Sequence, residues 1–229
     1  MSVTSTSEEI VHRLVAVIPA RAGSTRVRNK NLAEVGGRPL IERAIDIGRS
    51  VASSVVVSTD ISELFAAPAQ EGVDVIRRPK ALAGAHVTMD DVLLELAAGC
   101  TSVASAEYVL LLQPTSPFRN ASMILQALRQ LDETPGAEMI ISVHIFLEDL
   151  WDRDERGFLT RVFDGPRLQQ LRKKRYVENG NFYIFRRAQF LEHGALSKLS
   201  TLGFVVDGEA TVDINDQRDL EYARFIAGR

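Results

Sequence analysis

A single cysteine, Cys100, stands in the 229-residue sequence. One thiol cannot close an intramolecular disulfide or build a cysteine-rich zinc site, and its place after an apolar run reads as packing. The four histidines, His12, His86, His144 and His193, are scattered without metal-ligand spacing and are read as non-catalytic. Ser/His/Asp, Cys/His and H-E-x-x-H arrangements are absent as well. Basic residues are not in excess: a formal net charge of -3 gives no general attraction for nucleic acid or for an anionic membrane. Long apolar runs are also lacking. No stretch approaches a membrane span, and the Ser/Thr-rich, acidic segment Met1 to His12 holds no signal-peptide core. The expectation is a cytoplasmic protein with an N-terminal tail over 1–12, mobile at Met1 to Ser7, and one domain over 13–229.

What is present is a regular alternation. Leu14 to Ile18 is a continuous apolar run ending at Pro19, the pattern of a fully buried strand. Ser54–Thr59, Val73–Ile76 and Tyr108–Gln113 repeat it. Between them, Pro39–Arg49, Ser62–Glu71, Val87–Ala98 and Ala121–Leu131 carry apolar residues at helical spacing. Buried strands alternating with amphipathic helices specify a doubly wound, mostly parallel α/β sheet of Rossmann-like type. Ligands in such sheets bind beyond the carboxyl ends of the strands. From about Ile145 to Glu178 the periodicity fades and charge rises, with Trp151, Phe158 and Phe163 scattered through; this reads as an extension outside the main sheet. Asn181–Phe185, Gly203–Val206 and a closing helix over Gln217–Ile226 complete the chain.

Three strand-end segments hold the chemistry. Pro19 to Asn31, PARAGSTRVRNKN, combines Gly23, two hydroxyls and the cations Arg21, Arg26, Arg28 and Lys30. Glycine lets backbone N–H groups approach a ligand, and Arg and Lys neutralise phosphate oxygens. Neither G-x-x-x-x-G-K-[ST] nor G-x-G-x-x-G is matched, so the alternatives are a phosphate site of another kind or a solvated basic loop. In LLLQPTSPFR, two prolines stiffen the strand exit and bring Gln113, Thr115, Ser116 and Arg119 to the rim, unless the segment is only a turn. In TVDIND, alternation puts Asp213 and Asn215 on one side, a partial magnesium site; Asn215 or Asp216 could equally cap the final helix. Asp60 reads as a turn residue, and Asn179–Gly180 in YVENGNFYIF as a turn signal.

In order and spacing, IPARAGSTRVRNKNL, VVVSTD, IRRPKALA, LLQPTSPFR, ENGNFYIF and VDIND resemble the acylneuraminate cytidylyltransferases, the family of CMP-N-acetylneuraminate synthetases. The resemblance runs from about Leu14 to the C-terminus. It implies a Rossmann-like fold, a dimerisation extension, and transfer of CMP from CTP to an acidic acceptor, a nonulosonic sugar acid, with release of pyrophosphate. It assigns the nucleotide to Ala20, Arg21, Ala22, Gly23, Ser24, Arg26, Lys30 and Asn31, with Arg78 and Thr88. It assigns the acceptor to Gln113 and Arg167, to which the rim residues Thr115, Ser116 and Arg119, and Asn179 as a ligand contact, are added from the residues themselves. Magnesium, with manganese as substitute, falls to Asp213, Asn215 and Asp216, and the reaction centre to Arg21, Lys30 and Asp213. The chain departs from the family at Thr25, where a lysine is usual, with Arg26 supplying charge nearby. It departs again at Ala85 and Asn215, where aspartates are usual, and no lysine counterpart stands near Leu150–Trp151. Extra basic residues Arg172, Lys173, Lys174 and Arg175 would suit a compact, highly charged acceptor such as 3-deoxy-manno-octulosonate or a small phosphonate. The remaining alternative is a catalytically weak nucleotide binder.

Overall fold

The computed structural model describes residues 10–24, 26–84 and 86–229. The expectations placed on Thr25, Ala85 and the tail through residue 9 lie outside the described residues. Ordered packing reaches further back than a tail through His12 would allow, since Ile10 is buried in the core.

Strand β1 (Leu14–Ala20) is buried along its whole length and lies inside a seven-stranded sheet. Its alternate side chains serve two faces. Leu14, Ala16 and Ile18 join one core, and Val15 and Val17 join the other. The strand runs through Pro19 rather than stopping there. Pairing with β6 (Tyr108–Leu111) ends at Val17, so the missing proline N–H falls where no ladder bond is needed. Pairing with β4 (Ser54–Thr59) continues to Ala20.

A short hairpin, β2 (Glu34–Val35) with β3 (Arg38–Pro39), leads into α1 (Leu40–Val51), which covers the first face together with α5 (Ala121–Glu133). Gly48 of α1 lets the helix pack closely there: a Cβ would sit 3.0 Å from Val55 and 3.2 Å from Ala16, closer than ordinary contact. After β4, α2 (Ser62–Ala66) stops short of Pro68, and β5 (Val73–Arg77) forms one sheet edge. The second face is covered by α3 (Met89–Gly99) and α4 (Thr101–Ser105), where Cys100 packs among Val92, Leu96 and Val103. The packing reading of the cysteine holds.

Beyond α5, β7 (Met139–Phe146) was hidden from sequence reasoning inside what looked like the approach to the extension. The extension holds a hairpin of β8 (Trp151–Arg153) and β9 (Leu159–Arg161). Then β10 (Arg175–Arg186) re-enters the sheet between β6 and β7, antiparallel to both. It is one long strand, so Asn179–Gly180 is not a hairpin turn. The register shifts between Glu178 and Tyr183, and Gly180 takes φ +71° inside that irregularity. Helix α6 (Arg187–His193), edge strand β11 (Thr201–Val205) and α7 (Gln217–Ala227) complete the order β11-β7-β10-β6-β1-β4-β5. Within this sheet all pairings other than those of β10 are parallel, which makes the expected mostly parallel, doubly wound sheet. Because β10 is antiparallel, its early residues arrive beside the carboxyl end of β6. That reversal brings Asn179 next to Gln113.

Candidate active site

Two adjoining clefts open over the carboxyl ends of β1, β4 and β6. The first, of about 310 Å³, is lined by Arg21, Ser24, Arg26, Lys30, Asn31, Arg78, Thr88, Gln113 and Thr115, among others. The second is lined by Gln113, His144, Glu178, Asn179, Gly180, Tyr183, Thr211, Asp213 and Asn215. Gln113 and Asn215 belong to both, so one ligand spanning the clefts would pass between them.

The basic loop is held in place rather than free. The Ala22 N–H donates to Asp60 Oδ1 at 2.6 Å, and Asn31 Nδ2 donates to the Arg21 carbonyl at 2.9 Å. Asp60, expected as a turn residue, instead anchors the basic loop. Asn29, with φ +50°, turns the chain so that Lys30 points across the site. Lys30 Nζ donates to the Ile214 carbonyl at 2.7 Å, which joins the loop to the Asp213 segment 184 residues away. Burial holds this ammonium below its ordinary range, and the Asp213 charge draws it partly back. Arg78 is buried and donates to Ser58 O at 3.0 Å, with burial lowering its pKa, yet it lines the cleft. Four cations, Arg21, Arg26, Lys30 and Arg78, thus meet in the first cleft.

Several assigned residues fall elsewhere. Ala20 is sealed in the core, and Ala22 has given its N–H to Asp60, so neither offers the nucleotide a free donor. Gly23 takes φ +74° but is not among the residues that line the cleft. Thr88 lines it, but its hydroxyl is engaged in the capping box of α3 with Asp91. Arg119 is not on the rim. Its guanidinium is fully buried, donates to the Gln113 carbonyl at 2.6 Å, and leaves Nε and Nη1 without partners. Burial pulls it down to about 9 against the pull of Asp213, so it stays charged at neutral pH and holds the loop from behind. Ser116 is likewise buried and donates to the Gly180 carbonyl at 3.2 Å, tying this loop to β10. Arg167 is exposed in the extension and reaches neither cleft. Arg172 is bound within the extension to Asp149, at 3.0 Å, and to Leu147 O, while Arg175 stacks on Phe163. Those two extra cations are committed to folding the extension and are not offered to a compact, highly charged acceptor.

Asp216 is the N-cap of α7, its Oδ1 accepting from Arg218 N at 2.8 Å and Asp219 N at 3.1 Å. The capping reading is therefore realised at Asp216, with Oδ1 engaged by the helix. Asp216→Ala should cost roughly 1 kcal/mol of stability in thermal unfolding, with little change in turnover. Asp213 differs: Oδ2 accepts from Asn215 Nδ2 at 2.8 Å, and Oδ1 is buried without a partner. Among the described residues no group of three or more His, Cys, Asp or Glu side chains could hold a metal alone. One carboxylate plus an amide oxygen nonetheless suits magnesium, which takes its remaining ligands from phosphates and water. The donor set fits once the Asn215 amide turns its oxygen to the cation.

Glu178, Tyr183, His144 and Thr211 were missed as site residues. The Tyr183 hydroxyl donates to Glu178, and burial raises its pKa well above the ordinary phenol range. Beginning the strand at Asn181 hid Glu178, because it left that residue outside the sheet, and His144 was hidden with β7. Reading YVENGNFYIF as one irregular strand would have placed Glu178 and Tyr183 beside Asn179.

A family model described as Cytidylyltransferase matches residues 15–194. The chain is 26% identical over 219 residues to an N-acylneuraminate cytidylyltransferase of Escherichia coli, covering 92% of this chain and 51% of that one. It is 32% identical over 189 residues to a CMP-N,N'-diacetyllegionaminic acid synthase of Legionella pneumophila, covering 79% and 81%. The chain thus spans about half the length of the first relative. A solved CMP:2-keto-3-deoxy-manno-octonic acid synthetase complexed with CTP shares the fold, with TM-score 0.67 and 18% identity over 94% of this chain and 98% of that one.

Proposed function

The chain belongs to the cytidylyltransferase family, and from that premise we propose that it transfers CMP from CTP to an acidic sugar, a nonulosonic sugar acid. The observation that carries the reading is the pair of clefts: four cations in one, Asp213 in the other, with Gln113 and Asn215 common to both. A triphosphate needs the first, and an acceptor hydroxyl aligned on the α-phosphorus needs the second. In the reaction, the acceptor oxygen forms a bond to the α-phosphorus while the bond to the bridging oxygen of pyrophosphate breaks. Such chemistry is mostly positioning and electrostatic stabilisation.

Arg21, Arg26, Lys30 and Arg78 neutralise the triphosphate and the departing pyrophosphate. Asp213, with Asn215, holds the divalent ion brought by the nucleotide. Magnesium, or manganese in its place, supplies Lewis-acid neutralisation of the phosphates and acidifies the attacking hydroxyl when bound. Gln113, Asn179 and Tyr183 orient the acceptor. Relatives named for N-acylneuraminate and for diacetyllegionaminate favour a nonulosonic acid. The test is pyrophosphate release from CTP and magnesium over a panel of sugar acids. Release with a nonulosonic acid supports the reading, and equal turnover with UTP or ATP overturns it.

No helix among the described residues is long and apolar enough to cross a membrane; the reading places the reaction in the cytoplasm. The extension leaves Trp151 44%, Phe158 66% and Leu171 66% exposed. An apolar surface of that kind marks a protein contact, and a homodimer built through 145–178 is the proposed occupant. A second copy would also offer a route for the exposed Arg167 to an acceptor cleft. Light scattering should find a dimer at micromolar concentration; a monomer there rules this out.

A further inference from the structure

Ser142 lies on β7, is buried, and touches no ligand cleft. Its hydroxyl has only one proton to give. Oγ accepts from the Phe182 N–H at 3.0 Å, so the proton is donated elsewhere. Two oxygens are within reach, Asn179 Oδ1 at 2.7 Å and the Phe182 carbonyl at 3.2 Å, and the shorter bond goes to Asn179. The Asn181 N–H donates to the same Oδ1 at 3.2 Å. Two donors on one atom identify it as the carbonyl oxygen of the carboxamide. The other end, Nδ2, is therefore the amide nitrogen. It is buried, has no partner, and belongs to a residue that lines the second cleft.

We propose that Ser142 is a positioning residue for acceptor recognition: its hydroxyl locks the Asn179 carboxamide so that the nitrogen meets the acceptor. The acceptor must then place an oxygen lone pair, hydroxyl or carbonyl, against Asn179. This rests on the cytidylyltransferase reading only in assigning the second cleft to the acceptor. The surroundings explain why a lock is needed. Glu178 and Asp213, which border the same cleft, present carboxylate oxygens, and an amide turned the other way would add a third acceptor atom there. An acceptor rich in hydroxyl and carbonyl oxygens would then find no fixed donor at Asn179. The lock also uses the irregularity of β10: the register shift between Glu178 and Tyr183 brings Asn179 Oδ1, the Asn181 N–H and Ser142 Oγ together.

Threonine and valine at position 142 have nearly the same shape, so the pair isolates the hydroxyl. At saturating CTP, Ser142→Val should raise the acceptor KM about tenfold, the equivalent of one hydrogen bond, with the CTP KM unchanged. Ser142→Thr should restore the acceptor KM to within about twofold of wild type, a margin well inside the worth of one such bond. Asn179→Asp, which puts an oxygen where the nitrogen stood, should be at least as damaging as Asn179→Ala. The double variant Ser142→Val/Asn179→Ala should be no worse than Asn179→Ala alone. A merely structural serine would lower stability in the Val variant without moving one KM and sparing the other. Equal acceptor KM in the Thr and Val variants overturns the proposal. If no sugar acid yields pyrophosphate with the wild type, the underlying reading fails instead. The lock is then judged on the free protein by the side-chain ¹⁵N amide signals of Asn179. These should coincide in wild type and Ser142→Thr and move toward free-amide positions in Ser142→Val; signals identical in all three overturn it.

Discussion

Asp213→Ala should lower pyrophosphate release at least about a hundredfold, the scale for loss of a principal charge-stabilising group. Among the described residues lining the second cleft the carboxylates are Asp213 and Glu178, and Glu178 accepts from Tyr183. It stands beside Lys30, whose ammonium it influences, and it accepts from Asn215. Removal takes away the anionic ligand proposed for the nucleotide-borne cation, frees the Asn215 amide, and withdraws a countercharge from buried Arg119 and from Lys30. Some stability should be lost with it while the sheet, whose core Asp213 does not join, still folds; circular dichroism with thermal unfolding checks that. Asn215→Asp is the informative companion. A second carboxylate at that position should lower the magnesium concentration needed for half-maximal rate, because charge count tunes affinity for hard cations. Near-normal turnover and magnesium dependence in Asp213→Ala would show that the metal is held elsewhere.

Lys30→Met should be comparably damaging, but through the nucleotide. The substitution keeps the apolar stem and deletes the charge. Lys30 Nζ is fastened to the Ile214 carbonyl at 2.7 Å and lines the cationic cleft, so its position is set before the nucleotide arrives. A preorganised, half-buried cation is worth far more to developing phosphate charge than a solvated one. A loss of about a hundredfold or more in kcat/KM for CTP is expected by the same scale. Calorimetric titration should show weaker CTP binding with a smaller dependence on salt. A loss under about tenfold would place the main phosphate contact on Arg21, Arg26 or Arg78 instead.

The departures from expectation have physical causes. Arg119 and Ser116 lie in a segment whose two prolines and polar side chains look like a solvent rim, and nothing local says that β10 will cover them. The Asn179–Gly180 pair is a turn signal in isolation. Within β10 the same left-handed glycine is accommodated by a register shift, because the flanking residues on both sides still find partners on β7. Asp216 fits two descriptions in the sequence, cap and ligand, and the cap is realised only once the helix presents its first N–H groups to Oδ1. Arg172 and Arg175 show the reverse error. A run of basic residues suggested an anionic ligand, while the partners were Asp149 and Phe163 within the extension itself.

By itself the sequence determined the architecture and the rim on which the candidate site lies. Continuous apolar runs can be buried only as central strands, helical periodicity between them dictates crossover helices, and together these place the strand-end loops on one rim. The loop from Arg21 to Asn31 and the Asp213 segment were legible for that reason. Tertiary structure alone decided which polar groups in those loops remain free for a ligand. Hydrogen bonds between Ala22 and Asp60, Lys30 and Ile214, and Ser142 and Asn179 join residues 37 or more positions apart. Whether a donor is spent or available depends on the partner across that gap, and pairing at such separations follows from the packing of the sheet, not from local spacing.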